Sequence, residues 1–485
     1  MNIEKEHASQ NTPYGIIIIM FIGAFIAILN ETLLNVALPS IMNEFKVKPT
    51  AVQWLTTGYM LVNGILIPAS AFLIQRFTNR ALFITAMSLF TVGTIIASFS
   101  PTFNILLLAR MLQAAGSAVM MPLLMNIMLV SFPIEKRGTV MGVFGLVFFV
   151  APAVGPPLSG FIVEHYSWRA LFYIVIPFAL FILVYAIFKL KNLTPNRPIK
   201  LDVLSIILSS IGFGGLLYGF SMAGDKGWES FSVYSTIIIG TISLIVMIIR
   251  QLRMDEPMLE FRVFKYPMFA LASAISIILS IALFSIMILM PIYIQNIRGF
   301  SPLDAGLLML PGAVIMGIMS PITGRLFDKY GPKILAIVGL TITVITTYLF
   351  SRLDMEVSYR SLVILFSIRS FGMSMVMMPI MTNGLNQLPE KAYPHGTALN
   401  NTLQQVSGAI GSALLITIMN SQTESKAKEL MRGATAEISQ SDLLNQALLH
   451  GINFSFFVST LIVIVALIIT FFIKRVTEPA KDITL

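Results

Sequence analysis

The stretch "SIILSIALFSIMILMPIYI", residues 276–294, runs for 19 positions without a charged side chain. As a helix rising 1.5 Å per residue it would extend roughly 28 Å, close to the thickness of a hydrocarbon core of about 30 Å. In hydrocarbon every backbone N–H and C=O must bond internally, so a run this long and apolar is a helix. A membrane β-barrel would show short alternating segments instead. Working outward, the same test yields predicted spans at 14–38, 51–74, 81–99, 104–129, 138–163, 168–188, 203–222, 231–250, 268–294, 304–322, 333–350, 359–380, 396–419 and 452–473. The sequence therefore predicts an all-α polytopic membrane protein with 14 transmembrane helices.

Composition points the same way. Of 485 residues, 56% are hydrophobic and 11% are Asp, Glu, Lys or Arg, whereas a soluble domain carries about 25% charged residues. One soluble core would not hide this much apolar surface. The absence of cysteine rules out disulfides, thiolate metal sites and a cysteine nucleophile. The histidines at 7, 165, 395 and 450 have no metal-ligand spacing. No "GxxxxGK[ST]" phosphate loop supports direct use of ATP. There is no potassium-type filter and no Ser–His–Asp set, so neither a channel of that type nor an enzyme is expected. The N-terminal "MNIEKEHASQNTPYG" leads into an apolar run without a cleavage signature, which reads as a retained first helix.

The net charge of +9 would suggest nucleic acid in a soluble protein. Here the loops account for it. An even number of spans puts both termini on one side. With that side taken as the cytoplasm, inner segments hold 20 of the 32 Lys and Arg residues and outer loops hold 10. That is the positive-inside pattern. The inner clusters are Lys136–Arg137, the stretch from Lys189 to Lys200, and Arg325, Lys329 and Lys333. The one long outer loop, 421–450, has room for one or two short surface helices.

The chain also repeats itself. "AFLIQRFTNRALF" from Ala71 and "GRLFDKYGPKILA" from Gly324 are offset by 253 residues. Arg110, in "LLLARMLQAAGSA", and Arg369, in "ILFSIRSFGMSM", are offset by 259. Such spacing predicts two six-helix halves, 1–200 and 266–485, separated by two inserted helices within 201–265. Paired halves of this kind suit a transporter that rocks around a central site.

Glu31, in "FIAILNETLLNVALPSI" (25–41), is the one carboxylate well inside a predicted span. An ionised carboxylate there is costly, so it faces a cavity, finds a partner or takes a proton. It reads as a proton carrier, as a counter-charge to a cationic ligand, or as a purely structural group. Arg110 is the opposite charge. It either couples to Glu31 or braces helices through carbonyls. Asn30, Asn35 and Gln113 add hydrogen-bonding capacity beside the two charges, as cavity groups or as interhelical contacts. In "GVFGLVFFVAPAVGPPLSGF" (142–161), glycines including Gly155 and Gly160 permit close helix approach, while Pro152, Pro156 and Pro157 bend the helix. The 29 methionines suit either a permissive cavity or ordinary packing.

Taken together, these motifs resemble the major facilitator superfamily, in particular its fourteen-helix drug:proton antiporters and their lincomycin-resistance branch. The resemblance covers essentially the whole chain. It rests on "LNETLLNVALP" (29–39), on Arg110, Gln113 and Gly116, on Gly155, Pro156 and Gly160, and on "WRALF" (168–172), "PIYIQNIRG" (291–299) and "LLMLPGAV" (307–314). The family usually has Asp where this chain has Asn30, and here the acid comes one residue later. A one-residue shift turns a side chain by about 100° around a helix. The loop signature after the second span has lost its acid, with Ala71, Gln75, Arg76, Thr78 and Arg80, while the second copy keeps Gly324, Asp328, Lys329 and Gly331. The resemblance implies a bacterial cytoplasmic-membrane exporter of amphipathic antibacterial compounds. The proton gradient would supply its energy, with no cofactor, metal, nucleic acid or obligate protein partner. Glu31 and Arg110 would couple protons. Arg76, Arg80, Asp328 and Lys329 would gate the inner face, and Gly155, Pro156 and Gly160 would serve the moving interface. Export or flipping of an endogenous lipid or fatty acid is the alternative.

Overall fold

The computed structural model describes residues 14–193, 202–433 and 440–480. Among these residues the α-helices are α1 (Tyr14–Phe45), α2 (Pro49–Val52), α3 (Trp54–Arg76), α4 (Asn79–Ser98), α5 (Phe103–Ser131), α6 (Arg137–His165), α7 (Ala170–Lys189), α8 (Val203–Lys226), α9 (Phe231–Arg253), α10 (Pro267–Ile292), α11 (Pro302–Tyr330), α12 (Pro332–Phe350), α13 (Tyr359–Ser374), α14 (Met377–Asn386), α15 (Tyr393–Gly433) and α16 (Gln440–Thr470). They supply 14 segments long and apolar enough to cross a membrane. The four-residue α2 is too short, and α13 with α14 forms one broken span.

Two departures from the sequence expectation have physical causes. The predicted loop 421–450 is largely a continuation of the helices on either side, because α15 runs to Gly433 and α16 begins at Gln440. Lys428 pairs with Glu424 and Lys426 with Glu429 along the α15 extension. Such i,i+3 and i,i+4 pairs support a helix in water as well as in lipid. Residues 434–439, like the predicted domain boundary at 200/201, lie outside the described residues. The second departure is the break at Met375 and Val376. Thr323 of α11 donates to the Ser374 carbonyl at 3.1 Å, meeting a backbone group that a broken helix leaves open.

Packing extends the sequence repeat into three dimensions. A Cβ on Gly116 of α5 would stand 2.3 Å from the Ala86 carbonyl of α4. A Cβ on Gly372 of α13 would stand 2.7 Å from the Gly339 carbonyl of α12. In both places the missing side chain lets two helices approach backbone to backbone. The helices α8 and α9 pack on each other, and α8 leans on both α3 and α15. Trp54 of α3 stacks on Tyr218 at 5.8 Å, and Trp228, following α8, donates to Thr417 of α15 at 2.6 Å. The outer face of α9 is bare aliphatic surface, with Ile238, Ile242, Ile245 and Ile249 all exposed. Lipid is the solvent that such a face requires.

The two ends of the bundle differ. At the end holding Asp328, polar contacts join α11, α14 and α15 to α3 and α6. The Asp328 carboxylate accepts from Gly138 N (2.9 Å), Thr139 N (2.8 Å) and Thr139 Oγ1 (2.6 Å). Arg137 donates to Asn386 and Tyr393, and Gln75 meets His395 at 3.0 Å. At the opposite end the bonds are more local. Glu44 takes Trp168 and Arg169, Tyr293 donates to the Asp354 carbonyl, and Asn453 to the Leu353 carbonyl. Burial pushes the Glu44 carboxyl up, but the hydrogen bonds from Arg169 and Trp168 outweigh it and hold the group below its ordinary range. The bundle is thus clamped at the Asp328 end.

If the glycine contacts hold the α4–α5 pair together, Gly116→Val should cost about 1–3 kcal/mol through overpacking and lower the melting temperature in detergent. Gly15→Ala, where nothing lies within 4 Å, should leave it unchanged. Equal melting temperatures for the two variants would contradict this packing.

Candidate functional site

The site is built on α1 and α5. Arg110 is fully buried, and a buried guanidinium needs compensation because it stays charged. Its Nη1 donates to Asn30 Oδ1 at 2.8 Å and to Gln113 Oε1 at 2.9 Å. Gln113 passes the chain on, donating to Thr94 Oγ1 at 2.8 Å. The guanidinium carbon sits 4.3 Å from the centre of the Tyr59 ring, a cation–π contact of roughly 2 kcal/mol in a desolvated site. The Tyr59 hydroxyl donates to Ser117, which donates to Asn63. Arg110 Nε and Nη2 have no hydrogen-bond partner among the described residues.

Every group that holds Arg110 is therefore neutral. The one-residue offset noted in the sequence explains this arrangement. Asn30 bonds to Arg110 and is 1% exposed, while Glu31, one position further along α1, makes no bond to Arg110 and is partly exposed. Among the described residues no hydrogen bond or ion pair reaches the Glu31 carboxyl. The acid and the base are close neighbours without being a salt bridge. The side chain of Asn35 lies outside the described residues.

The glycines and prolines of α6 divide between two partners. A Cβ on Gly155 would stand 2.2 Å from Thr32 Oγ1, so Gly155 makes room for the residue next to Glu31. Gly160 and Pro156 face α11 instead, near Leu303 (3.8 Å) and Gly306 (3.9 Å). Lower on the same seam, Gly138 and Gly324 meet backbone to backbone, a Gly324 Cβ falling 2.2 Å from the Gly138 carbonyl. This helix thus touches the Glu31 region on one side and the α11 seam on the other.

Asp328 works as an N-cap supplied from another helix. It satisfies two of the orphan N–H groups at the start of α6, where a carboxylate also meets the positive end of the helix dipole. Lys329 is exposed, and its carbonyl accepts from Arg475. Arg80 donates to the Ile187 carbonyl at the end of α7, at 2.6 Å, and Arg76 is exposed. Neither arginine is brought to the Asp328 clamp.

Sequence reasoning overlooked two sets of residues. One is Tyr59, which an aromatic in an apolar span does not advertise. The other is the run "NNTLQQ", 400–405, inside α15. Its signal was available, since the α15 span has a mean hydropathy of 1.3, the lowest of the 14.

Fourteen membrane-crossing helices around a buried charge site define a polytopic membrane transporter. The Major Facilitator Superfamily profile matches residues 20–412. The chain is 52% identical over 419 residues to the uncharacterized MFS-type transporter YhcA of Bacillus subtilis, covering 86% of this chain and 79% of that one. It is 44% identical over 471 residues to the lincomycin resistance protein LmrB of the same organism, covering 97% of each. The human organic anion transporter MFSD10 has a similar fold, with a TM-score of 0.65 at 11% identity, covering 94% of this chain and 100% of that one. The chain belongs to the Major Facilitator Superfamily.

Two substitutions probe the site's mechanics. Asp328→Ala should uncap α6 and loosen the clamp. In this cysteine-free chain, alkylation of a Ser320→Cys reporter, buried on the α11 side of the seam, should then rise several-fold. Gly155→Ala should reduce transport at least tenfold by pushing α1 away, with partial recovery on adding Thr32→Gly. Loss of transport that Thr32→Gly does not relieve would place the effect elsewhere.

Proposed function

We propose that this protein exports amphipathic antibacterial compounds across a bacterial cytoplasmic membrane in exchange for protons. The observation that carries the reading is Glu31, a carboxyl inside the membrane, without a hydrogen-bonding partner and half-open to its surroundings, beside a buried arginine held by neutral groups. Similarity to a protein named for lincomycin resistance supports the substrate class.

In this reading the helices form two six-helix halves, 1–200 and 266–485, with α8 and α9 inserted between them within 201–265. The packing of α8 against both α3 and α15 supports that arrangement. Both termini lie in the cytoplasm, as the charge bias favours, so the Asp328 clamp closes the cytoplasmic face. Glu31 then takes its proton from the outer side. Protonation removes the negative charge that Glu31 places near Arg110, and the neutral cage around Arg110 keeps that residue in place when Glu31 changes charge. The change at Glu31 passes through Thr32 and Gly155 to α6, and α6 carries it to the α11 seam and the clamp. Opening of the cytoplasmic face releases the proton and admits the substrate, so proton and substrate alternate. A ligand shifts such an equilibrium only by its differential affinity for the two states. Here the differential ligand is the proton.

Glu31→Gln imitates the protonated carboxyl permanently. In proteoliposomes it should abolish uphill, proton-driven export of lincomycin, by at least a hundredfold. Downhill exchange should persist, but with a raised KM for lincomycin, since the protonated form disfavours substrate without removing the surfaces that bind it. Uphill export at the wild-type rate by purified Glu31→Gln would refute the mechanism. Proton-independent movement of native lipids, with none of lincomycin, would favour the lipid exporter instead.

A further inference from the structure

The amides Asn30 and Gln113 are taken up by Arg110, so substrate hydrogen bonding must come from elsewhere. The run "NNTLQQ" of α15 places Asn400 one turn from Gln404 and Asn401 one turn from Gln405. Their hydrogen bonds are incomplete. Asn401 Nδ2 is satisfied within the helix by the Thr397 carbonyl at 2.9 Å. Gln404 Nε2 finds only the Met381 sulfur of α14 at 3.8 Å, and a thioether is a weak acceptor. Asn400 is 3% exposed, and its amide nitrogen has no partner among the described residues. The Gln405 side chain is half-buried and makes no hydrogen bond among those residues.

An interhelical polar contact would be bonded across helices. The Asn400 amide nitrogen is not, Gln404 reaches only a thioether, and an unmet buried amide costs stability. Their position fits a ligand. Gln404 lies eleven residues beyond Tyr393, which belongs to the clamp, or about 16 Å along the helix. The helix that carries them packs against α3 and α5. On α14, Met381 is a soft, adaptable neighbour beside Gln404.

We propose that Asn400 and Gln404, which share one face of α15, with Met381 beside Gln404, bind the uncharged hydrogen-bonding groups (amides and hydroxyls) of an amphipathic substrate. The proposal rests on the export reading. It separates two tasks within one protein, with the proton on α1 beside α5 and the polar part of the substrate on α15 beside α14. The unmet amides are a cost carried while the site is empty. Sites of this kind reject a ligand that cannot pair with them, because the buried polar groups are then left unbonded.

The test compares lincomycin, rich in hydroxyl groups and bearing an amide, with tetraphenylphosphonium, which has no hydrogen-bonding group. Gln404→Met and Asn400→Leu should each raise the KM for lincomycin roughly tenfold, equivalent to about 1.4 kcal/mol. The maximal rate should stay within about twofold, and the KM for tetraphenylphosphonium should not change. Because Asn400→Leu removes an unmet amide nitrogen, its melting temperature should hold or rise. An equal KM change for both probes, an unchanged lincomycin KM, or a fall in the melting temperature of Asn400→Leu overturns the site. Glu31→Gln is run in parallel. If it still concentrates lincomycin, the proton mechanism fails and the KM ratios still decide the amide site. A wild-type protein that binds neither probe overturns both.

Discussion

The structure depends on how a permanently charged Arg110 is held inside a membrane without a carboxylate. Two amide oxygens and one aromatic face do the work, from Asn30, Gln113 and Tyr59. A direct ion pair would have fixed Glu31 in its charged form, since breaking a buried pair leaves an uncompensated charge. The neutral cage frees the acid from that duty. Glu31 remains near enough to feel the charge and unbonded enough to respond to protons.

The same economy of contacts governs motion. Thr32 follows Glu31 in α1 and lies in the space left by Gly155. Beyond Gly155, the same helix meets α11 through Pro156 and Gly160, and its N-terminus is capped by Asp328. One helix thus has the Glu31 region on one flank, the seam on the other and the clamp at its end. Packed interfaces of this kind switch between discrete arrangements rather than deform smoothly. The prolines 152, 156 and 157 flank Gly155 within α6 and remove backbone donors there.

The spans were legible because hydrocarbon leaves the backbone no choice but to bond within a helix. Their ends in water were less so. Lys–Glu pairing carries α15 well past its apolar portion, and hydropathy is blind to that. The break between α13 and α14 falls four residues before Pro379, which offers no N–H to the Met375 carbonyl, and Thr323 of α11 donates to the neighbouring Ser374 carbonyl. In the site, Glu31 and Arg110 stood out as isolated charges, but their relation did not. Which of Asn30 and Glu31 faces Arg110 is a matter of 100° of helical phase, and only the packed bundle sets that phase. The second-copy acid at Asp328 was legible as part of a repeated motif, while its contact with the start of α6 needed the fold. The α15 amides were visible in the sequence and became informative only once their partners proved to be incomplete.

Proton release on substrate binding tests the central claim most directly. Purified protein in weakly buffered detergent at neutral pH is titrated with lincomycin while a pH indicator is followed. If proton and substrate compete through Glu31, the wild-type protein releases up to about one proton per lincomycin bound, and Glu31→Gln, fixed in the protonated form, binds lincomycin more weakly and releases none. Equal release by the two proteins, or binding by wild type with no release at all, would contradict the account.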